Sequence, residues 1–78
     1  MISRLGAKVR GLRTERGMSQ TELARAIGLS DHSRGYVSEI ESGKKIPPPE
    51  KILALAELFG VSTDYLLRDD IQSPERRL

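Results

Sequence analysis

Apolar residues recur along most of the chain at intervals of three and four positions, which is the spacing of one face of an α-helix. At the start of the chain Leu5, Val9 and Leu12 form such a stripe. Ser3 is the expected N-cap of this first helix, which should end near residue 16, just before Gly17. No segment shows the alternation that is typical of a strand.

A second, shorter helix is predicted after Ser19, because Glu22 three positions later completes a capping box. Gly28 ends it. Its inner face is formed by Leu23, Ala24 and Ile27. A third helix is predicted over roughly 33–42, with Val37 and Ile40 as its apolar pair. The break between these two helices is short, so they should cross at a steep angle.

The second half of the chain predicts two more helices. Three consecutive prolines, Pro47 to Pro49, mark an extended entry into a fourth helix that ends at Gly60. Its apolar face is formed by Ile52, Leu55, Ala56 and Phe59. Ser62 then caps a short fifth helix, which contains Tyr65, Leu66 and Leu67. The predicted fold class is therefore all-α, a compact bundle of five short helices.

The polar end of the chain is expected to lie outside this bundle. From Arg68 onward the only sizeable apolar residues are Ile71 and Leu78. We therefore predict a domain over residues 1–68 and a polar C-terminal tail over 69–78, mobile or ordered only against a partner. A core this small is marginally stable, which favours self-association.

Composition excludes several classes of function. The chain has 78 residues, no cysteine and a single histidine, so disulfide scaffolds, thiol catalysis and clustered cysteine or histidine metal sites are ruled out. No cluster of catalytic residue types is present, and neither an enzyme, a metal nor a cofactor is predicted. Because no apolar run approaches the roughly 20 residues of a membrane span, and no signal peptide is visible, we expect a soluble, cytoplasmic protein.

Charge is unevenly distributed along the chain. The formal net charge is +2, but residues 1–45 hold nine basic and five acidic residues, whereas residues 46–78 hold four basic and six acidic ones. A basic first half is consistent with a polyanionic partner, although a solvated surface of mixed charge is the more common cause of such a pattern.

The second and third predicted helices have the properties of a helix-turn-helix motif. Ala24 is small where the second helix approaches the third, and Gly28 tolerates a positive φ at the turn. Val37 and Ile40 supply the apolar side of the third helix, which would be the recognition helix. In this motif the N-terminal part of the recognition helix enters the major groove of double-stranded DNA.

Four segments in order extend this pattern: LRTERGMSQ at 12–20, QTELARAIGL at 20–29, IESGK at 40–44 and VSTDYLL at 61–67. With them the chain resembles the XRE family of bacterial and phage regulators, of the lambda repressor and Cro type. The resemblance covers about residues 3–68. It implies sequence-specific binding of double-stranded DNA, more typically in repression than in activation, by a homodimer on an inverted repeat. The alternative is an antitoxin or another module that acts through a protein partner.

The chain departs from the family pattern at the turn. About three residues, Ser30-Asp31-His32, are extra if Ser33 is the N-cap of the recognition helix. A helix capped at Ser30 is the other possible register, but it would put Gly35 in mid-helix at a cost of about 1 kcal/mol relative to alanine. We therefore favour Ser33. An exposed loop position without a role is the preferred interpretation of His32.

The resemblance and the motif geometry together indicate which side chains contact DNA. The predicted base contacts are Arg34, Gly35, Ser38 and Glu39. Arg34 suits the two major-groove acceptors of guanine, with a phosphate contact as the alternative. Glu39 either accepts from a cytosine amine, orients Arg34 or lies in solvent. The predicted backbone contacts are Gln20, Tyr36, Ser42, Gly43, Lys44 and Lys45. Lys8 and Arg10 would extend this basic face, with simple solvation as their alternative.

Arg13 and Glu41 are interpreted differently from the other charged residues. In relatives the matching arginine and glutamate pair inside the domain. We therefore predict a structural ion pair between them, which ties the first helix to the end of the third and which would be costly to break.

Overall fold

The computed structural model describes residues 4–30 and 32–71 and contains five α-helices in that part of the chain. They are α1 (Leu5–Glu15), α2 (Gln20–Ala26), α3 (Arg34–Glu41), α4 (Pro49–Phe59) and α5 (Thr63–Leu67). α3 packs against α1 and α2, and α5 packs against α1 and α4. The predicted all-α bundle of five helices is confirmed.

The core lies where the apolar faces of the five helices meet. Leu23, Leu55, Phe59 and Leu66 are fully buried in it. The apolar positions predicted to face inward on α1 to α4 are all buried. Because the burial of apolar surface supplies most of the stability of a fold, this shared core fixes how the helices are oriented.

Two glycines with left-handed backbone conformations follow the two helices of the helix-turn-helix unit, one at its turn and one at its end. Gly28, after α2, has a φ of 84°, and Gly43, after α3, has a φ of 83°. A side chain is disfavoured at such angles, so glycine allows the chain to leave each helix sharply.

The predicted capping box at the start of α2 is present. The backbone N–H of Glu22 donates to Ser19 Oγ (3.0 Å), and the backbone N–H of Ser19 donates to Glu22 Oε1 (2.8 Å). The hydrogen bond from the Ser19 backbone holds the pKa of the Glu22 carboxyl below its usual value. This box satisfies two backbone donors at the end of α2 that meets α3.

Replacing Ser19 with alanine is expected to lower the free energy of unfolding by about 1 kcal/mol, as measured by urea denaturation at pH 7.

The contribution of Glu22 to stability is expected to depend on pH. Because the pKa of Glu22 is lowered in the folded protein, this contribution is present above the ordinary value of 4.5 and is lost as the pH falls through the lower, folded value. The stability difference between the original protein and Glu22→Gln should therefore shrink below about pH 4.5. A difference that stays constant down to pH 3 would contradict this role.

The start of α1 differs from the prediction. Arg4 occupies the N-cap position and makes no side-chain capping bond there, while Ser3 lies outside the described residues. The backbone N–H of Arg4 instead donates to Asp69 Oδ1 (3.0 Å), a residue from the other end of the chain. The carboxylate that satisfies this donor therefore comes from a distant position, which local spacing does not reveal.

The first residues of the predicted tail contact the domain. Ile71 is half-buried and packs against the core, and Asp69 accepts the bond from Arg4. Residues 69–71 therefore contact the bundle through an apolar side chain and a carboxylate, and the division into a domain over 1–68 and a tail over 69–78 stays a prediction. Residues 72–78 lie outside the described part of the chain.

Three basic side chains each bind carbonyl oxygens at the C-terminal end of a helix to which they do not belong. Lys8 Nζ donates to the carbonyls of Tyr65 (2.5 Å) and Arg68 (2.7 Å). The other two bonds are from Arg16 to Leu58 O (3.0 Å) and from Lys51 to Ile27 O (3.1 Å). A cation at a helix C-terminus satisfies an otherwise unpaired acceptor and complements the helix dipole. These three charges therefore stabilise the fold.

Lys8 does not extend the basic face as proposed from the sequence. Besides its two hydrogen bonds, its ammonium group lies 4.5 Å from the centre of the Tyr65 ring. Burial lowers the pKa of Lys8 despite the opposing effect of Asp69. Its ammonium group therefore joins α1 to the C-terminal end of α5.

Gly6 of α1 is buried and lies against the backbone at the end of α3. A β-carbon at this position would lie 2.5 Å from the carbonyl oxygen of Glu41 and still closer to that of Ile40. Only a residue without a side chain allows α1 to lie directly against the C-terminal end of α3. The sequence pattern indicates no role for Gly6.

Candidate nucleic-acid interface

The first turn of α3 determines which side chains are presented to solvent. α3 begins at Arg34 with Ser33 at the N-cap position, as in the favoured register. The Ser33 side chain makes no capping bond, and its hydroxyl lies 3.1 Å from that of Ser30. The backbone N–H of Ser33 also donates to Ser30 O (3.1 Å). A turn between the two serines therefore precedes the helix.

In this register α3 has one buried and one exposed side. Val37 and Ile40 are buried in the core. The four predicted base contacts, Arg34, Gly35, Ser38 and Glu39, are all exposed. At Gly35 an added β-carbon would meet no atom within 4 Å, so this position leaves open space above the helix.

Two open grooves join α3 to α1 and α2. The larger, of about 420 Å³, is lined by Arg13, Ser19, Gln20, Thr21 and Arg34. The smaller, of about 210 Å³, is lined by Arg10, Arg13, Gln20, Ser38, Glu41 and Ser42. Because the grooves share two residues, they form one continuous surface, which we call the three-helix surface. It carries hydroxyl, amide and guanidinium groups, all of which can donate hydrogen bonds to an anion.

The floor of this surface is held by the predicted ion pair. Arg13 Nε lies 2.6 Å from Glu41 Oε2, and Arg13 Nη2 donates to Glu41 Oε1 (3.1 Å). The two side chains are only 12% and 5% exposed. The hydrogen bond to Glu41 raises the pKa of Arg13, and a further bond reaches Met18 O (2.7 Å). The structure therefore brings α1, the turn before α2 and the end of α3 together at one point.

Gln20 joins the same network. Its side-chain Nε2 donates to Glu41 Oε1 (3.2 Å), and the residue is half-buried. Gln20 is predicted to contact a DNA phosphate, and its side-chain amide is oriented by the Arg13–Glu41 ion pair beneath it. Gln20 lines both grooves, so it is still accessible to a ligand at the three-helix surface.

The loop after α3 carries the remaining predicted backbone contacts. Ser42, Gly43, Lys44 and Lys45 are all exposed. Ser42 Oγ donates to Glu39 O (3.2 Å). Lys45 Nζ lies 3.5 Å from Glu39 Oε1 and 4.8 Å from the centre of the Tyr36 ring. Tyr36 is half-buried and packs against the core.

Two residues that line the three-helix surface, Arg10 and Thr21, were not among the DNA contacts predicted from the sequence. Arg10 lines the smaller groove with Ser38 and Ser42, and Thr21 lines the larger with Arg34. Arg10 lies three positions before Arg13, so the helical period could have placed both on one side of α1. Thr21 follows Gln20 and carries no distinguishing signal in the sequence.

The chain matches a family of helix-turn-helix proteins over residues 9–66. It belongs to the XRE-type helix-turn-helix family. The match covers most of the chain and contains α2, α3 and the three-helix surface. Proteins of this family are DNA-binding transcriptional regulators and not enzymes. This protein is therefore a DNA-binding transcriptional regulator.

Two relatives in bacteria and phages support this assignment. The ImmF control region 10 kDa protein of Bacillus phage phi105 is 35% identical over 72 residues, which are 92% of this chain and 77% of that protein. The cryptic phage CTXphi transcriptional repressor RstR of Vibrio cholerae is 32% identical over 72 residues, which are 92% of this chain and 62% of RstR.

A solved structure shows the same fold on DNA. The P22 c2 repressor protein in complex with a synthetic operator is 30% identical, with a TM-score of 0.74 over 85% of this chain and 96% of that one. These comparisons favour DNA binding over a module that acts through a protein partner.

The described residues were also compared with what a metal site and a membrane-spanning helix require. Within residues 4–30 and 32–71, no group of three or more histidine, aspartate or glutamate side chains is arranged to hold a metal ion. In the same residues, no helix of this helix-turn-helix protein has the length and apolar character needed to cross a membrane.

Proposed function

We propose that this protein is a repressor that binds a specific sequence of double-stranded DNA as a homodimer. The three-helix surface carries this proposal, because it places the exposed side of α3 next to hydrogen-bond donors from α1 and α2. In the helix-turn-helix geometry α3 lies in the major groove while the neighbouring helices contact the backbone. Two copies would then bind half-sites about 34–36 Å apart, which requires an inverted repeat.

Arg34 and Ser38 are proposed to read base edges, together with Gly35 and Glu39. The N-terminal part of a recognition helix enters the major groove, and all four residues are exposed on α3. Arginine pairs with the two acceptors of guanine in a fixed geometry. The open space above Gly35 supports a close approach of a base edge or methyl group at that position.

The backbone contacts are proposed to surround this reading face. Gln20 and Thr21 lie beside Arg34, and Arg10 lies beside Ser38 and Ser42. Gly43 and Lys44 follow α3 on an exposed loop. Tyr36 and Lys45 were assigned to the backbone from the sequence. The contact between their side chains favours a role for both other than binding the DNA backbone. Contacts of this kind position a protein on the duplex but carry no sequence information.

Arg34→Ala and Lys44→Ala are expected to weaken DNA binding in different ways. Arg34→Ala should relax the preference at one base position by about 1–3 kcal/mol, because it removes a base contact. Lys44→Ala should weaken binding to all sequences alike and reduce the slope of log K against log salt by about one, because it removes a phosphate contact. Fluorescence anisotropy on matched and mismatched duplexes over a range of salt concentrations measures both. Equal effects of Arg34→Ala on all sequences would mean that Arg34 binds phosphate.

The proposed function as a whole is tested by selecting bound sequences from a random duplex library. We expect an enriched motif with two-fold symmetry and half-site centres one helical turn apart, and an affinity that falls steeply with salt. Failure to retain any duplex at low salt would disprove DNA binding. An enriched motif without symmetry would disprove the homodimer alone.

The homodimer is supported by an apolar patch on α4. Leu53 is 52% exposed beside a groove of about 320 Å³, whose other lining residues are Ala56, Glu57, Gly60, Val61 and Thr63. None of these residues lines the three-helix surface. A protruding leucine next to a groove is suited to a two-fold contact, in which each copy contributes both parts.

Leu53→Asp is expected to weaken self-association by at least tenfold, as measured by sedimentation equilibrium, because it would bury a charge at the contact. Ile46→Asp is the matched control, since Ile46 is 57% exposed on the loop before α4 and lies outside this groove. If both variants associate like the original protein, the second subunit does not bind at α4.

A further inference from the structure

The position of Glu39 raises an electrostatic problem. This inference rests on the proposed function, in which the exposed side of α3 enters the major groove. Glu39 is exposed on that side, and its carboxylate would therefore lie between two phosphate backbones. DNA carries one negative charge per roughly 1.7 Å of helix axis, so an unneutralised carboxylate is repelled there. Glu39 needs a nearby cation if it is to contact a base.

Lys45 supplies that cation from the loop after α3. Its Nζ lies 3.5 Å from Glu39 Oε1. Its backbone N–H also donates to the carbonyl oxygen of Glu39 (3.2 Å), which fixes the start of the side chain relative to the helix. Main chain and side chain of Lys45 are therefore both directed at the same residue.

Tyr36 holds the lysine from the other side. The ammonium group of Lys45 lies 4.8 Å from the centre of the Tyr36 ring, within the range of a cation–π contact. Tyr36 is itself half-buried against the core, so the ring is a fixed surface. The three residues form a unit of α3 and the loop that follows it, which we call the Tyr36–Lys45–Glu39 unit.

Lys44 shows the contrast with its neighbour. It is exposed like Lys45, but no side-chain hydrogen bond or ion pair of Lys44 occurs within residues 4–30 and 32–71. Its ammonium group is therefore available to phosphate. The ammonium group of Lys45 already has a carboxylate and a ring as neighbours.

We propose that Lys45 is a positioning residue for base recognition: it neutralises and orients Glu39, held by Tyr36, so that Glu39 accepts a hydrogen bond from a base amine. Cytosine N4 is the donor that suits a carboxylate in the major groove. In free protein the pair contributes little to stability, since Lys45 and Glu39 side chains are 43% and 49% exposed. Its effect arises on DNA, where water is displaced and the phosphate potential acts on Glu39.

The test compares base preference at each position of a selected half-site, by anisotropy competition. Glu39→Gln should lower the preference at one base pair by roughly 5- to 150-fold, the range of one good base contact. Lys45→Met, which removes the charge but keeps the chain length, should lower the preference at that same base pair by on the order of threefold or more. Lys45→Arg restores a cation and should retain the preference.

Lys44→Met is the matched control and should weaken binding to all sequences alike. In the Glu39→Gln background, Lys45→Met should leave the remaining base preferences unchanged. The inference is overturned if Lys45→Met weakens all sequences equally, as Lys44→Met does, because Lys45 would then be a phosphate contact. It is also overturned if Glu39→Gln changes no base preference. Both outcomes leave DNA binding itself intact, whereas an original protein that binds no duplex would overturn the proposed function, and this inference with it.

Discussion

Gly6→Ala is expected to destabilise the protein by about 3 kcal/mol, at the upper end of the cost of overpacking a core. The added methyl group would point at the backbone carbonyls of Ile40 and Glu41, and the backbone cannot rotate away as a flexible side chain can. α1 would have to move away from the end of α3. Since Arg13 and Glu41 join the same two helices, their ion pair would be strained as well.

Gly11→Ala on the same helix is the matched control. An added β-carbon at Gly11 would meet nothing within 4 Å, and the residue is exposed. This substitution should stabilise the protein by up to about 1 kcal/mol, because alanine is the better helix former. Urea denaturation of both variants measures the difference. If Gly6→Ala is as stable as Gly11→Ala, α1 does not lie against the α3 carbonyls as described.

Arg13→Met should lower the free energy of unfolding by about 3 kcal/mol, the lower end of the cost of breaking a buried pair. The reason is the nearly buried carboxylate of Glu41, which would keep only Gln20 as a side-chain partner among the residues that the structure describes. The second variant, Arg13→Met with Glu41→Leu, replaces both charges and should recover much of the loss. Urea denaturation of the two variants at neutral pH measures this recovery.

DNA binding of Arg13→Met provides a second readout. Below its unfolding transition the variant should keep the base preferences of the original protein, because Arg13 supports the three-helix surface from beneath. A double variant no more stable than Arg13→Met would show that the pair contributes through packing and not through charge. A changed base preference would show that Arg13 contributes to base recognition, either directly or through the Gln20 amide.

The helices of this protein are largely predictable because their limits are set locally. Ser19 and Glu22 form a capping box three positions apart, and Gly28 follows the last turn of α2. Such contacts lie within a few residues and leave a pattern in the sequence. The register of α3 was predicted on the same basis, although the Ser33 hydroxyl pairs with Ser30 and not with the helix backbone.

Contacts between distant residues were less predictable. Gly6 is required by carbonyl groups 34 and 35 positions later, and nothing near Gly6 in the sequence indicates them. A charge count shows the sign of Lys8 but not the direction of its side chain, so the sequence leaves open both an extended basic face and simple solvation. Its partners, the carbonyls of Tyr65 and Arg68, are backbone groups that any residue could supply.

The contacts of the candidate site were predictable from the sequence only in part. The Arg13–Glu41 pairing was implied by the family resemblance, and the structure brings the two residues together. The assignment of Lys45 to phosphate was drawn from its place after α3. The contact with Glu39 and Tyr36 depends on how the loop turns, which the sequence does not specify.

The bonds from Arg4 to Asp69 and from Lys8 to Arg68 bring the two ends of the described chain side by side. They span 65 and 60 positions, so during folding they close loops that contain almost the whole domain. Closing so large a loop costs entropy that nearby contacts do not. We therefore expect this closure to form late and to open first. α2 and α3 are adjacent in sequence and in space, and they can stay assembled while the ends separate. Fluctuations at the ends would then leave the DNA-reading helices in place.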